Sequence, residues 1–134
     1  MKEMLELAGA LIINKNRLLL MHRNTENRVQ WELPGGKLEK GEKPENTVIR
    51  ELIEELNINI KIERYLGYKE SEENNIILKY HCFKCTFANE NEIPKLMEKK
   101  FDDLKYFTKE DLNKCTELSS NMRILKDTID IEEL

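Results

Sequence analysis

The sequence predicts an α/β fold, and three observations carry that expectation. Apolar runs separated by short polar turns open the chain. One segment between Pro44 and Leu56 carries a helical period instead. After Ile58 the pattern returns to strand-like alternation. At 134 residues the chain is expected to be one domain, residues 1–134, and a chain of that size buries about two thirds of its unfolded surface.

Residues 5–13 alternate loosely and end in Asn14, Lys15 and Asn16, a turn signal. Residues 17–22 follow with Leu18, Leu19, Leu20 and Met21, so the two runs read as a β-hairpin. Gly9 inside the first strand points to close approach of another backbone, or to simple packing economy. A polar loop over residues 22–28 then leads to Trp31, which is expected to pack the sheet against the loop that follows. His22 has no partner histidine at motif spacing and reads as a surface or packed side chain. Pro34, Gly35 and Gly36 follow. Glycine permits positive φ and has no Cβ, so bare backbone can approach a metal or a phosphate there.

Pro44 suits the first helical position, where its missing N–H costs nothing, and the helix is expected to run to Leu56. Glu51, Glu54 and Glu55 then share a stripe roughly 100° wide. Val48, Leu52, Leu56, Ile49 and Ile53 are expected to form the core face opposite. Glu51 and Glu55 repel each other at i,i+4. Hard divalent cations bound by carboxylate oxygens offset such repulsion. Arg50 offers a second means, a bidentate contact to a carboxylate. A solvated acidic face is the plainer alternative.

Ile58, Ile60 and Ile62 alternate with polar residues in a half-buried strand expected to continue through Tyr65 and Tyr68. Residues 70–75 read as the turn. Residues 76–87 are apolar on both faces and read as a central strand. Cys82 and Cys85 lie three apart in it, so they point to opposite faces and read as buried structural cysteines rather than zinc or redox ligands. Cys115 reads as a lone thiol, and no orienting group supports a catalytic Cys–His pair with His81. Residues 88–100 are polar, with Pro94 breaking them. Thr108 is a plausible N-cap. Ser119 or Ser120 caps a last helix expected to reach Ile129, with Met122, Leu125 and Ile129 as its core stripe.

The net charge of −4 argues against a nucleic-acid polymer or a membrane surface as partner, but not against a small nucleotide. No apolar run reaches the ~18–20 residues of a membrane span. The start lacks a signal-peptide core. Three cysteines without framework spacing fit a reducing compartment, so a cytoplasmic location is expected.

Residues 36–58 resemble the Nudix box, G-x5-E-x7-R-E-U-x-E-E-x-G-U, with U a bulky aliphatic. Gly36, Glu42, Arg50, Glu51, Leu52, Glu54, Glu55 and Ile58 match. Asn57 stands where the box has its second glycine; Asn is the next most tolerant residue in the left-handed conformation that ends a helix. Trp31, Pro34, Gly35 and Gly36 are similar to the family's W-x-x-P-G-G.

The resemblance implies the Nudix fold: a mixed β-sheet sandwiched between helices (α/β/α), with the box helix on one face and the C-terminal helix on the other. It implies hydrolysis of a nucleoside diphosphate linked to another group, with Mg²⁺ or Mn²⁺ as cofactor. Glu51, Glu54 and Glu55, with the carbonyl of Gly36, are the implied metal ligands. Arg50 orients the cluster and Glu42 supports it. Glu51 or Glu54 is the implied base, with a late-loop acid among Glu98, Asp102 and Asp103 as the alternative. Arg23 reads as a phosphate contact or a solvated loop arginine. Gly35 and Lys37 also stand near the implied phosphates. The short chain is most similar to MutT-type nucleoside triphosphate pyrophosphohydrolases, including those that clear oxidised nucleotides. ADP-ribose and dinucleoside polyphosphates are further family substrates, and a Nudix-fold sensor that binds without cleaving is the non-enzyme alternative. Trp31, Tyr68, Tyr80 and Phe83 read as core rather than as base-stacking residues. The resemblance leaves monomer or homodimer open.

Overall fold

Left-handed residues set the first turn. Lys15 and Asn16 have φ of 52° and 61°, as a two-residue hairpin turn matched to strand twist requires. They join β1 (Glu3–Asn14) to β2 (Arg17–Asn24). These coordinates are a computed structural model that describes residues 2–126. β3 (Val29–Glu32) and β4 (Gly35–Lys37) follow, then α1 (Pro44–Leu56). β5 (Ile60–Glu73), β6 (Ile76–Phe87) and β7 (Phe101–Phe107) precede two short helices, α2 (Lys109–Lys114) and α3 (Ser120–Leu125).

The strands form one mixed sheet. Its main path runs β3-β2-β1-β6-β5, with β4 paired to β1 and β7 paired to β2. Only the β1–β6 ladder among these is parallel. The alternation of β1 and β2 splits the interior into two cores. Ala8, Ala10, Ile12, Leu19 and Met21 meet Val48, Leu52 and Leu56 of α1. Leu11, Leu18 and Leu20 meet Leu112, Leu118, Met122 and Leu125 from the opposite side. The sheet is therefore covered by α1 on one face and by α2 and α3 on the other, the expected α/β/α arrangement. Cys85 lies in the first core and Cys82 in the second, the opposite facing that their spacing predicts. Burial pushes both thiols up to about 12.

The helix ends follow local chemistry. Pro44 opens α1. Asn57 ends it in the left-handed conformation (φ 54°, ψ 40°), its N–H donating to the Ile53 carbonyl. The departure from glycine thus leaves the helix exit intact. Thr108 caps α2 in a reciprocal box with Asp111. Ser119 caps α3 by accepting from the Met122 N–H. The expected extension of that helix to Ile129 lies outside the described residues.

Three expectations are corrected and the reading of Gly9 is sharpened. The turn is not 70–75: β5 runs to Glu73, and only Asn74 and Asn75 turn, with φ of 52° and 65°. Ile49 and Ile53 are not core; they are 36% and 44% exposed, while Thr47 and Glu55 are buried instead. The buried arc of α1 is rotated toward β4, whose glycines leave room for the helix. Gly9 does meet backbone, as the register partner of Gly35, and a Cβ on Gly9 would also run into the Tyr80 side chain. Tyr68 is not core either; it is half exposed, with Lys79 Nζ 4.2 Å from its ring centre.

Trp31 packs on its sheet neighbours in β2 and β7. Its ring lies 4.8 Å from Phe107 in an edge-on contact and 4.8 Å from His22. Its backbone N–H donates to the Glu117 carbonyl and its carbonyl accepts from the Ser119 N–H. These bonds dock the 117–119 segment onto β3.

Candidate active site

The site is built where β4 crosses the middle of α1. A Cβ on Gly36 would lie 2.5 Å from the Glu51 carboxyl carbon, so only glycine lets the helix carboxylate touch this strand. One residue earlier, the Gly35 N–H donates to Glu55 Oε1 at 2.8 Å. Gly35 has φ 152°, and a Cβ there would overlap the Ala8 carbonyl oxygen. The two glycines face different neighbours, the end of a side chain at Gly36 and backbone at Gly35.

Arg50 is the hub. It grips Glu42 with two bonds, Nε to Oε2 and Nη2 to Oε1, both 2.9 Å. Its Nη1 donates to Glu51 at 3.0 Å and to Glu54 at 3.1 Å, and its Nη2 to the Lys37 carbonyl at 3.1 Å. Glu42 also accepts from the Thr47 hydroxyl and the Glu39 N–H. The Arg50 guanidinium, with those two donors, pulls the Glu42 carboxyl down to about 2. The same contact raises the Arg50 pKa. Planar guanidinium suits this task because a fork fixes two oxygens at once.

The helix carboxylates differ sharply in environment. Glu54 is half exposed and Glu55 is 1% exposed. Burial pushes the Glu55 carboxyl up to about 9, opposed by the Gly35 N–H. Burial also raises Glu51, opposed by Arg50. Burial favours the neutral form of such a carboxyl, and a nearby cation favours the charged one.

The late loop docks beside Glu55. The N–H groups of Met97 and Lys95 donate to the Glu55 and Leu56 carbonyls at 3.0 and 2.9 Å. Glu98 thereby falls within electrostatic reach of Glu55 and Arg23. Asp102 and Asp103 are directed elsewhere. Asp102 accepts from Asn24 at 2.8 Å and bonds His22 Nδ1 at 2.6 Å. Asp103 accepts from the Leu104 N–H. Of these late-loop acids, Glu98 alone is shown near the cluster. Lys100, which the sequence reading passed over, pairs with Glu98 at 3.7 Å and acts on both Glu51 and Glu55.

Arg23 is not a solvated loop arginine. It sits at the end of β2, paired with Glu32 at 2.7 Å, with its guanidinium 4.9 Å from the Phe101 ring centre. Glu32, also bonded by Gln30 at 2.6 Å, was missed because nothing in its spacing distinguished it. Arg23, Glu32, Gly35, Gly36 and Lys37 line a cavity of about 530 Å³ that is also lined by residues of β1, β6 and the 116–123 segment. That volume is ordinary for a site holding a small organic ligand. The site thus joins a carboxylate helix, a bare-backbone strand and a roomy cleft.

These features define a family. The NUDIX domain model matches residues 6–128, and the chain belongs to that family. A MutT-like protein of Streptomyces ambofaciens is 37% identical over 76 residues, 56% of this chain and 48% of that one. A CTP pyrophosphohydrolase of Escherichia coli is 30% identical over 83 residues, 60% and 62% of the two chains. An 8-oxo-dGTP diphosphatase of Proteus vulgaris is 39% identical over 62 residues, 44% and 55%. The matches thus span about half to three fifths of these relatives. Among solved structures, a MutT NUDIX hydrolase from Burkholderia pseudomallei superposes with a TM-score of 0.80 at 27% identity, covering 96% of this chain and all of that one.

Proposed function

We propose that this protein is a metal-dependent hydrolase of nucleoside diphosphates linked to another group. The best-supported subclass is a MutT-type (deoxy)nucleoside triphosphate pyrophosphohydrolase that gives a nucleoside monophosphate and pyrophosphate, with oxidised nucleotides among its substrates. The observation that carries the reading is the placement of Glu51 and Glu55 against Gly36 and Gly35, two glycines that also line the cavity.

The donor set fits Mg²⁺ or Mn²⁺. Glu51, Glu54 and Glu55 supply hard oxygens, and the Gly36 carbonyl is the proposed backbone donor. Among the described residues no three such side chains converge as a ready cage, because Arg50 takes Glu51 and Glu54. Arg50 keeps its fork on Glu42 when those carboxylates turn to a cation. Bound cations would neutralise phosphate charge and lower the pKa of the attacking water.

The chain's own residues account for the rest. Arg50 holds the helix carboxylates in register with β4. Glu98 is the proposed proton acceptor, since it lies outside the Arg50 clamp. Arg23 meets a phosphate by exchanging part of its contact with Glu32. Lys37 lines the same cavity. The nucleoside lies in the cavity.

Product analysis by ³¹P NMR tests this, with Mg²⁺ at alkaline pH and a panel of dNTPs, CTP, 8-oxo-dGTP, ADP-ribose and diadenosine polyphosphates. Monophosphate and pyrophosphate from a triphosphate are expected. Cleavage confined to ADP-ribose or a dinucleotide would replace the substrate. Tight binding of one compound without cleavage of any would favour a sensor.

A further inference from the structure

Tyr80 is a buried phenol that stands apart from the carboxylate cluster. Its side chain lines the cavity and is 8% exposed. Its hydroxyl has no hydrogen-bond partner among the described residues. Yet no fully covered side-chain oxygen or nitrogen lacks a partner, so this hydroxyl opens into the cavity. Buried tyrosine hydroxyls ordinarily find a partner.

The surroundings place this group deliberately. A Cβ on Gly9 would overlap the Tyr80 hydroxyl oxygen and lie 2.8 Å from its ring carbon Cζ. Gly9 is the register partner of Gly35, and Leu7 that of both Tyr80 and Lys37. The phenol therefore lies across the bare backbone of β1, beside the strand that approaches the helix carboxylates. Leu5, Leu7 and Leu78 line the cavity around it. Burial raises the phenol well above its ordinary range, so it is an O–H able to donate or to accept. A neutral hydroxyl set among apolar side chains helps to fix the orientation of a ligand and to discriminate between ligands.

We propose that Tyr80 is a nucleoside-recognition residue, its hydroxyl hydrogen-bonding the nucleoside held in the cavity, with Gly9 making room for it. This rests on the nucleotide reading above, and it assigns selectivity rather than chemistry to the residue.

The test is Tyr80→Phe, which keeps the ring and removes one atom. kcat and KM are measured across the nucleotide panel with Mg²⁺. Binding of the product monophosphate is measured by calorimetry in EDTA. The expected result is about a tenfold or greater loss of kcat/KM and of monophosphate affinity for the preferred nucleotide. It falls on KM, with kcat within about twofold, and preference between nucleotides narrows. Gly9→Ala, which displaces the phenol, is expected to narrow preference in the same way. Unchanged affinity and preference in a folded Tyr80→Phe protein overturn the proposal and leave the hydrolase reading standing. A wild-type protein that binds no monophosphate and cleaves no nucleotide overturns both.

Discussion

The two faces of α1 use one backbone for opposite purposes. Val48, Leu52 and Leu56 are fully buried in the core, and each contributes on the order of 1.5–3 kcal/mol by leaving water. Glu55 is buried nearly as deeply, at 1% exposure, yet burial acts against its charged form. Glu51 shares that cost, and Arg50 offsets it only in part. The difference teaches that stability and chemistry are separable on this helix. One face holds the fold together, while the other is tolerated by it and makes sense when a cation and phosphates arrive.

Substitutions on the two faces should therefore fail differently. Glu55→Gln is expected to lower kcat by about 10²–10³-fold or more. Its melting temperature in EDTA should stay near wild type, because the amide resembles the protonated acid already favoured there. Steady-state kinetics beside thermal denaturation would show this, and a folded variant with near-normal turnover would remove Glu55 from the site. Leu52→Ala should do the reverse. It is expected to cost about 2–5 kcal/mol of stability through a core cavity, visible in urea unfolding, while the folded fraction keeps its specific activity at low temperature.

Arg50→Lys probes the seam between the faces. Lysine keeps the charge but loses the fork on Glu42, so activity and stability should both fall, by about tenfold and about 1–2 kcal/mol. A change in only one of them would break the view that Arg50 serves both faces. The smallest effect is expected at the helix exit. Asn57→Gly relieves the left-handed strain at φ 54° and should change stability by no more than about 1 kcal/mol, with kcat unchanged. A loss of activity there would show that the exit shapes the site.

Much of this was legible in the sequence because it is local. Pro44 and Asn57 bound the helix, and Thr108 and Ser119 start the next two by side-chain capping. Gly35 and Gly36 lie against Glu55 and Glu51, a grouping that the resemblance to the Nudix box implied. What escaped depends on neighbours distant in the chain. A helical wheel puts Ile49 and Ile53 with the core, but the arc that is buried depends on where β4 packs. Glu98, Asp102 and Asp103 are equivalent on paper. They separate only once the loop bonds to the Glu55 carbonyl and Asp102 meets Asn24 and His22. Tyr80 reads as core in a strand of apolar residues, and only the cavity beside Gly9 gives its hydroxyl another meaning.

The measurement that tests the central claim most directly is thermal denaturation with and without Mg²⁺ for wild type, Glu55→Gln and Leu52→Ala. A ligand that binds only the folded state raises the melting temperature, by more the further its concentration exceeds its Kd. Wild type and Leu52→Ala are expected to rise by similar amounts from different baselines, and Glu55→Gln to rise little. Equal shifts in all three proteins, or none in wild type, would contradict the division of α1 into a face for the fold and a face for the cation.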